Sequence, residues 1–449
     1  MSLTTVTSLL SSPDSRSRIG LLLILTLYLV LSVQFMQATP EFEASDEATH
    51  FGHVLHLKEN KMLIVADANR RTLAAQEATQ PPLYYVLTAI VINTLNTADK
   101  YIMYLGRANA PVGRADIAGY KHGFIHSEHR QAPALTALAV KTARYFSMAL
   151  GLVTIICTFL TFRTLFPSQS SSVLFATSLV AFNPMFLFIS NSVNNDTLLM
   201  SLCSAVTFLA VRLSKNQISL LGTFILGIIL GLAVLTKVSA LVMLPGLMAL
   251  LLFSQTNTSL RVKHITMLLT VLACTCTWWF CRNYVLYGDL LGHSVHVALA
   301  GNARHSVELL ALAYEWDGFV KSYWGVFGLF NVIFSDQIYY GFYILTALGC
   351  TLIASLFFLV RDHNKAVLYF LTLVFLSNLG AVAIWTSDLY GSQGRLMFPS
   401  ITAFAVLFAW GLSYWPESIG RATKYTISVL LLSASTYASL WVIPAQYPS

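Results

Sequence analysis

The segment "PPLYYVLTAIVINTL" (81–95) decides how the chain is laid out, because a membrane crossing here would invert everything that follows it. About 13 residues follow the proline pair, well short of the roughly 20 that some 30 Å of hydrocarbon demands. Pro81 and Pro82 suit the start of a helix, and Tyr84 and Tyr85 suit headgroup level. The segment therefore reads as a helix lying in the interface.

The rest of the chain agrees with that reading. Of 449 residues, 56% are hydrophobic and only 10% charged, which is too apolar for a soluble domain. Apolar runs occur at 19–36, 138–162, 171–190, 197–213, 218–235, 239–253, 264–281, 338–360, 366–385, 397–414 and 425–443. The stretch 218–253 would make one helix of roughly 54 Å at about 1.5 Å per residue, too long for a single crossing, and Lys237 interrupts it. Arg16, Arg18, Arg163, Arg212, Lys215, Arg261, Lys263, Arg361, Lys365, Arg421 and Lys424 then fall in short inner segments. Only Lys237 and Arg395 fall in short outer ones. The positive-inside rule thus supports about eleven transmembrane helices, with the N-terminus inside and the C-terminus external. The net charge of +7 reports topology and does not call for a nucleic-acid partner.

An all-α polytopic membrane protein follows, with a long first outer loop carrying interfacial helices. Its parts are a cytoplasmic N-terminus and first span (1–36), the first outer loop (37–137), spans two to seven (138–281), a second long outer loop (282–337), and spans eight to eleven with a short external C-terminus (338–449). No convincing cleavage site follows the first run, so it reads as retained. The six cysteines lie in or beside apolar runs, with no CxxC pair, and read as packing residues. There is no internal repeat of the kind that marks many transporters.

The first outer loop opens with "ASDEATHFGHVLHL" (44–57). As a helix, this stretch places Asp46 and Glu47 four and three residues before His50, so that carboxylate and imidazole can orient one another. Beside a membrane, such a group can act as a general base. The simpler alternative is a solvated helix start, with Ser45 as N-cap and the acids favoured by the helix dipole. His50, His53 and His56 recur every third residue, but on a helix they drift around the axis and do not converge well on a metal. No cofactor is predicted; a divalent metal could be held by His50 and His53 together with Asp46 or Glu47, but nothing else in the sequence supports one.

The stretches "PEFEASDEATHFGHVLHL" (40–57) and "QEATQPPLYYVL" (76–87) resemble the first outer loop of polytopic glycosyltransferases of the GT-C fold. That superfamily includes protein O-mannosyltransferases and the lipid A aminoarabinose transferase, and the likeness is nearest to a bacterial branch of predicted membrane proteins. It continues through "NPMFLFISNSVNNDTLL" (183–199), "GLAVLTKVSALVMLP" (231–245), "RNYVLYGDLLG" (282–292) and "QGRLMFPSITA" (393–403). The resemblance implies transfer of a sugar from a polyprenyl-phosphate carrier to an acceptor (lipid, glycan or protein) at the outer face of a bacterial inner membrane. It also implies that the acid matching the first-loop motif, Asp46 with Glu47 beside it, activates the acceptor.

Cations are needed for the phosphate charge that develops on the leaving group. Arg395, Arg282, Lys237 and Arg144 stand at outer span ends, although each could equally snorkel to headgroups. Asp196 reads as a helix cap, and Tyr323, Trp324, Tyr339 and Tyr340 read as interface anchors. The alternative functions are a flippase for lipid-linked sugars and a non-catalytic assembly protein on the same scaffold.

Overall fold

The computed structural model describes residues 15–69, 72–99, 113–116, 121, 123, 134–216, 218–254, 257–301, 303–304 and 309–447. Much of the part of the first outer loop without a sequence assignment, roughly 58–135, lies outside these residues.

Every apolar run read from the sequence is helical. Eight helices are long and apolar enough to cross a membrane: Arg16–Ala38, Leu135–Leu165, Asp196–Lys215, Thr258–Tyr287, Asp336–Leu359, Asn364–Asp388, Gly394–Leu412 and Glu417–Gln446. A ninth candidate is the pair Ser170–Ala181 and Pro184–Ser190, bent by 58°. Asn183 explains the bend: its Oδ1 accepts from the backbone N–H of Met185 (2.9 Å) and Phe186 (3.0 Å), and Pro184 has no N–H to continue the first helix. Leu220–Val234 and Val238–Phe253 are shorter apolar helices, separated where Lys237 adopts extended backbone. Among the described residues the only sheet is a hairpin pairing Val326–Phe327 with Val332–Ile333.

Small residues let these helices approach closely. A Cβ built on Gly231 would lie 2.5 Å from Thr275, so the Leu220–Val234 and Thr258–Tyr287 helices can pack here only through glycine. The Gly394–Leu412 helix is the centre of the molecule, with 94% of its apolar window buried. Its Phe404 and Phe408 pack over Gly349 of the Asp336–Leu359 helix.

The first outer loop departs from expectation in two ways. Its first helix runs over Glu47–Asn60, so it begins three residues later than the 44–57 reading. The proline-led helix covers only Leu83–Val91, about 14 Å at 1.5 Å per residue, too short to cross. Tyr84 and Tyr85, expected at headgroup level, are both fully buried. Their hydroxyls have partners inside: Tyr84 meets Ser147 Oγ (2.9 Å) and accepts from Asn194 N–H (3.0 Å), while Tyr85 meets His50 and Glu77. Ile90 and Val91 occupy the exposed face instead. Trp324 and Tyr339 are also buried, leaving Tyr340 as an exposed aromatic of the expected anchor set.

One ion pair fastens this loop to the helices. Arg144, in the Ala134–Leu165 helix, donates to Glu47 through Nε (2.7 Å to Oε1) and Nη2 (2.5 Å to Oε2). Its remaining N–H groups reach the carbonyls of Met36 (3.5 Å), Thr39 (2.7 Å) and Pro40 (2.8 Å) at the end of the first helix. Glu47 also accepts from the backbone N–H of Phe42 (2.8 Å) and Val193 (2.9 Å). Both side chains are essentially sealed from solvent, at 1% and 0% exposure, so removing one charge strands the other.

Two outcomes follow for experiment. Glu47→Gln or Arg144→Ala should lower stability by about 3–5 kcal/mol, seen as a large fall in thermal unfolding temperature in detergent; an unchanged transition would mean that the pair does not hold the loop. Single cysteines at Asn69 and Gln446 should both label from the outer face of sealed cells. Labelling of either only after permeabilisation would overturn the eleven-crossing topology.

Candidate active site

A cavity of about 560 Å³ opens beneath the first outer loop. It is closed by the start of the Asp196–Lys215 helix, the Lys237 break, the His293–Ala300 helix and the turn carrying Arg395.

Asp46 reaches the cavity through an unusual backbone. Its φ of 62° lies in the left-handed region, which a non-glycine residue adopts at a cost. Here it stands immediately before the helix but makes no side-chain cap. Its carboxylate is turned away from the helix N–H groups, and Oδ2 lies 2.5 Å from Arg395 Nη2. Ser45 does not serve as N-cap either, since its hydroxyl accepts from Arg395 Nη1 at 2.9 Å. Gln393 Oε1 accepts from Arg395 Nε at 2.7 Å, and the guanidinium lies 5.0 Å from the centre of the Phe330 ring. Among the described residues, two of the five N–H groups of Arg395 remain uncommitted, as does Asp46 Oδ1.

A second ion pair stands beside the first: Lys237 Nζ lies 2.6 Å from Asp196 Oδ1, with the carboxylate buried. Asp196 is therefore not a cap, and Asn195 at the N-cap position makes no capping bond either, its side chain donating instead to the Thr236 carbonyl at 3.4 Å. The sequence held one signal for this pair. A lysine in the middle of a long apolar run needs a buried counter-charge, and Asp196 is the acid at a neighbouring outer helix start.

Burial is the largest influence and would raise the Asp46 carboxyl, but the charge and hydrogen bond of Arg395 together with the charge of Lys237 hold it below the usual carboxylate range. Asp46 is ionised at neutral pH, with its side chain 32% exposed to the cavity.

The other predicted residues are placed differently. Glu47 does not face the cavity: both oxygens are saturated by Arg144, Phe42 and Val193, so it cannot take a proton without opening the clamp. Arg144 spends its donors on that clamp and has none left for a phosphate. Arg282 lies outside the cavity, in a separate groove with Leu63, Val65 and Trp278. It donates to the Ile64 carbonyl at 2.6 Å and stacks 5.0 Å from the Trp279 ring.

His50 does line the cavity, but its hydrogen bond runs to the Tyr85 hydroxyl (2.9 Å) and not to Asp46. Desolvation pushes its pKa down to about 3, so it is neutral. His53 bonds the Glu77 carbonyl at 2.9 Å, and His56 turns to Asn60. The three histidines do not converge, and among the described residues no three His, Cys, Asp or Glu side chains are grouped to hold a metal. Glu77, which the sequence reading passed over, enters the cavity beside His50.

Residues 135–280 match the family described as dolichyl-phosphate-mannose-protein mannosyltransferase. No curated protein matches the chain. Among solved structures, the chain is similar to ArnT from Cupriavidus metallidurans bound to undecaprenyl phosphate, at 13% identity and a TM-score of 0.57, over 95% of this chain and 69% of that one. It is similar also to the Archaeoglobus fulgidus oligosaccharyltransferase in complex with Zn and sulfate, at 15% identity and a TM-score of 0.52, over 94% of this chain and 52% of that one. The present chain thus spans about half the length of the oligosaccharyltransferase. The chain thus shares the fold of these membrane glycosyltransferases along nearly all of its length, and the family match runs across its second to seventh apolar segments.

Proposed function

We propose that this protein transfers a sugar from a polyprenyl-phosphate carrier to a hydroxyl or amine acceptor, in a cavity that faces the outer side of a bacterial inner membrane. The observation that carries the reading is one cavity lined by an ionised carboxylate, Asp46, and by two cations, Arg395 and Lys237, with N–H groups to spare. The structurally similar ArnT was solved with undecaprenyl phosphate bound, which supports a lipid phosphate as the ligand class.

The roles follow from the chemistry. The donor phosphate sits against the free N–H groups of Arg395 and Lys237, and its lipid chain leaves toward the bilayer. Asp46 Oδ1 accepts the proton of the acceptor as the acceptor oxygen or nitrogen attacks the anomeric carbon. The bond from that carbon to the phosphate oxygen breaks, its electron pair stays on the phosphate, and the two cations stabilise the charge that develops there. One base and one displacement imply inversion at the anomeric carbon.

Arg395 couples the two halves of the reaction. Phosphate that draws the guanidinium toward itself weakens its hold on Asp46, so the carboxylate becomes a better base once the donor is in place. A flippase has no use for such a base.

Asp46→Asn should lower single-turnover transfer by about 10² or more with little change in donor affinity; full activity in this variant would remove the base from the mechanism. Arg395→Ala should weaken binding of the polyprenyl-phosphate donor by roughly 1.5–3 kcal/mol, with partial recovery in Arg395→Lys. Unchanged lipid affinity in a folded Arg395→Ala protein would return Arg395 to a purely structural role.

A further inference from the structure

Glu77 is a buried acid that this mechanism leaves unused. It sits in a 3-10 turn, Ala75–Thr79, inside the "QEATQPPLYY" stretch. The turn is pinned from two sides. His53 Nδ1 donates to the Glu77 carbonyl at 2.9 Å, and the Thr79 hydroxyl lies 2.8 Å from His296 Nδ1. His53 also stacks on Tyr85, with ring centroids 3.9 Å apart.

The side chain is held just as firmly. Tyr85 donates its hydroxyl proton to Glu77 Oε2 at 3.3 Å, and because that proton is spent, the Tyr85 oxygen accepts from His50 Nδ1 at 2.9 Å. The chain of donors therefore runs from His50 through Tyr85 to one oxygen of Glu77. Among the described residues the other oxygen, Oε1, meets no donor, and Glu77 lines the cavity.

We propose that Glu77 recognises the sugar, donating a hydrogen bond from its carboxyl group to a hydroxyl or ring oxygen of the polyol in the cavity. This rests on the lipid-linked sugar reading given above and adds the residue that distinguishes a sugar-bearing lipid from a bare lipid phosphate. Supporting it, desolvation first and the Asp46 charge second raise the Glu77 carboxyl to about 8, so it carries a proton at neutral pH. The same cavity also holds His293, on the helix packed against the turn, which lies 3.2 Å from Asp388, so the transition is assigned to Glu77 by its absence in Glu77→Gln. His50 and His53 are held down to about 3 and His296 to about 4; Asp46 lies below the carboxylate range, and Tyr85 well above the usual phenol value. Asp196 and Lys237 face it as an ion pair, and Arg395 is paired with Asp46. A neutral donor reads an uncharged hydroxyl without drawing in a competing cation, and a site built around such a bond rejects a ligand that lacks it.

The sign of the pH effect is fixed by this. Below about 8 the acid form donates; above it the carboxylate only accepts and stands as a second negative charge beside Asp46. The test uses the full chain in nanodiscs, with undecaprenyl phosphate, mannosyl undecaprenyl phosphate and glucosyl undecaprenyl phosphate as probes, on both sides of that pH. In the wild type, at least one sugar-bearing lipid should bind about tenfold better relative to the bare lipid below the transition than above it. Glu77→Gln, which keeps an N–H donor, should retain the preference at both pH values, and Glu77→Ala should lose it at both. An infrared titration should show a protonated carboxyl band that disappears through about pH 8 and is absent in Glu77→Gln. Bare lipid binding with the same sugar preference in all three proteins, or a carboxyl band that Glu77→Gln leaves in place, overturns the role of Glu77. No binding of bare undecaprenyl phosphate by the wild type overturns the lipid-phosphate reading itself, and this inference with it.

Discussion

The buried pair of Arg144 and Glu47 is the constraint on which the site depends. It joins the second long helix to the first residues of the outer-loop helix, and through carbonyl contacts to the end of the first helix. Glu47 also receives the backbone of Val193, just before the helix that carries Asp196. The pair thus fixes Asp46, one residue away, relative to Asp196 and Lys237. A carboxylate on an untethered loop could not be kept within bonding distance of Arg395, which comes from the far end of the chain. Adjacent acids have divided their work: Glu47 is buried and structural, while Asp46 is turned by its left-handed backbone into the cavity.

The cavity is also nearly neutral for so many ionisable groups. Asp46 and Asp196 each stand against one cation, Asp388 lies 3.2 Å from His293, and Glu77 is kept uncharged by burial and by Asp46. Such a site does not strongly prefer either sign until one pair is disturbed. On the reading proposed above, an anionic phosphate would compete for the cations and release the carboxylates, an exchange worth more in a low-dielectric cavity than in water.

The helical plan was legible because each run of apolar residues needs the same solution in lipid whatever its neighbours do. Even the break at Lys237 showed, since one charge interrupts an apolar stretch. The partnerships were not legible, because they join residues far apart: Arg144 lies 97 positions from Glu47, and Arg395 lies 349 from Asp46. No local pattern says which of four basic residues lines the cavity and which lies in a separate groove, as Arg282 does against the Ile64 carbonyl. Tyr84 and Tyr85 illustrate the same gap. A tyrosine at a predicted interface can face headgroups or turn inward, and the inward hydrogen bonds that decide it come from residues in other helices. The start of the outer-loop helix was misplaced for a related reason, since Asp46 leaves the helical region to meet Arg395.

The central claim is that this cavity holds a lipid phosphate between Arg395 and Lys237, and the lipid that co-purifies with the protein tests it most directly. Native mass spectrometry of the full chain should show a retained polyprenyl phosphate, with or without a sugar, and that species should be lost when Arg395 and Lys237 are both replaced by alanine in a protein that still folds. Retention of ordinary phospholipids alone, or of a polyprenyl phosphate that persists without both cations, would contradict the account.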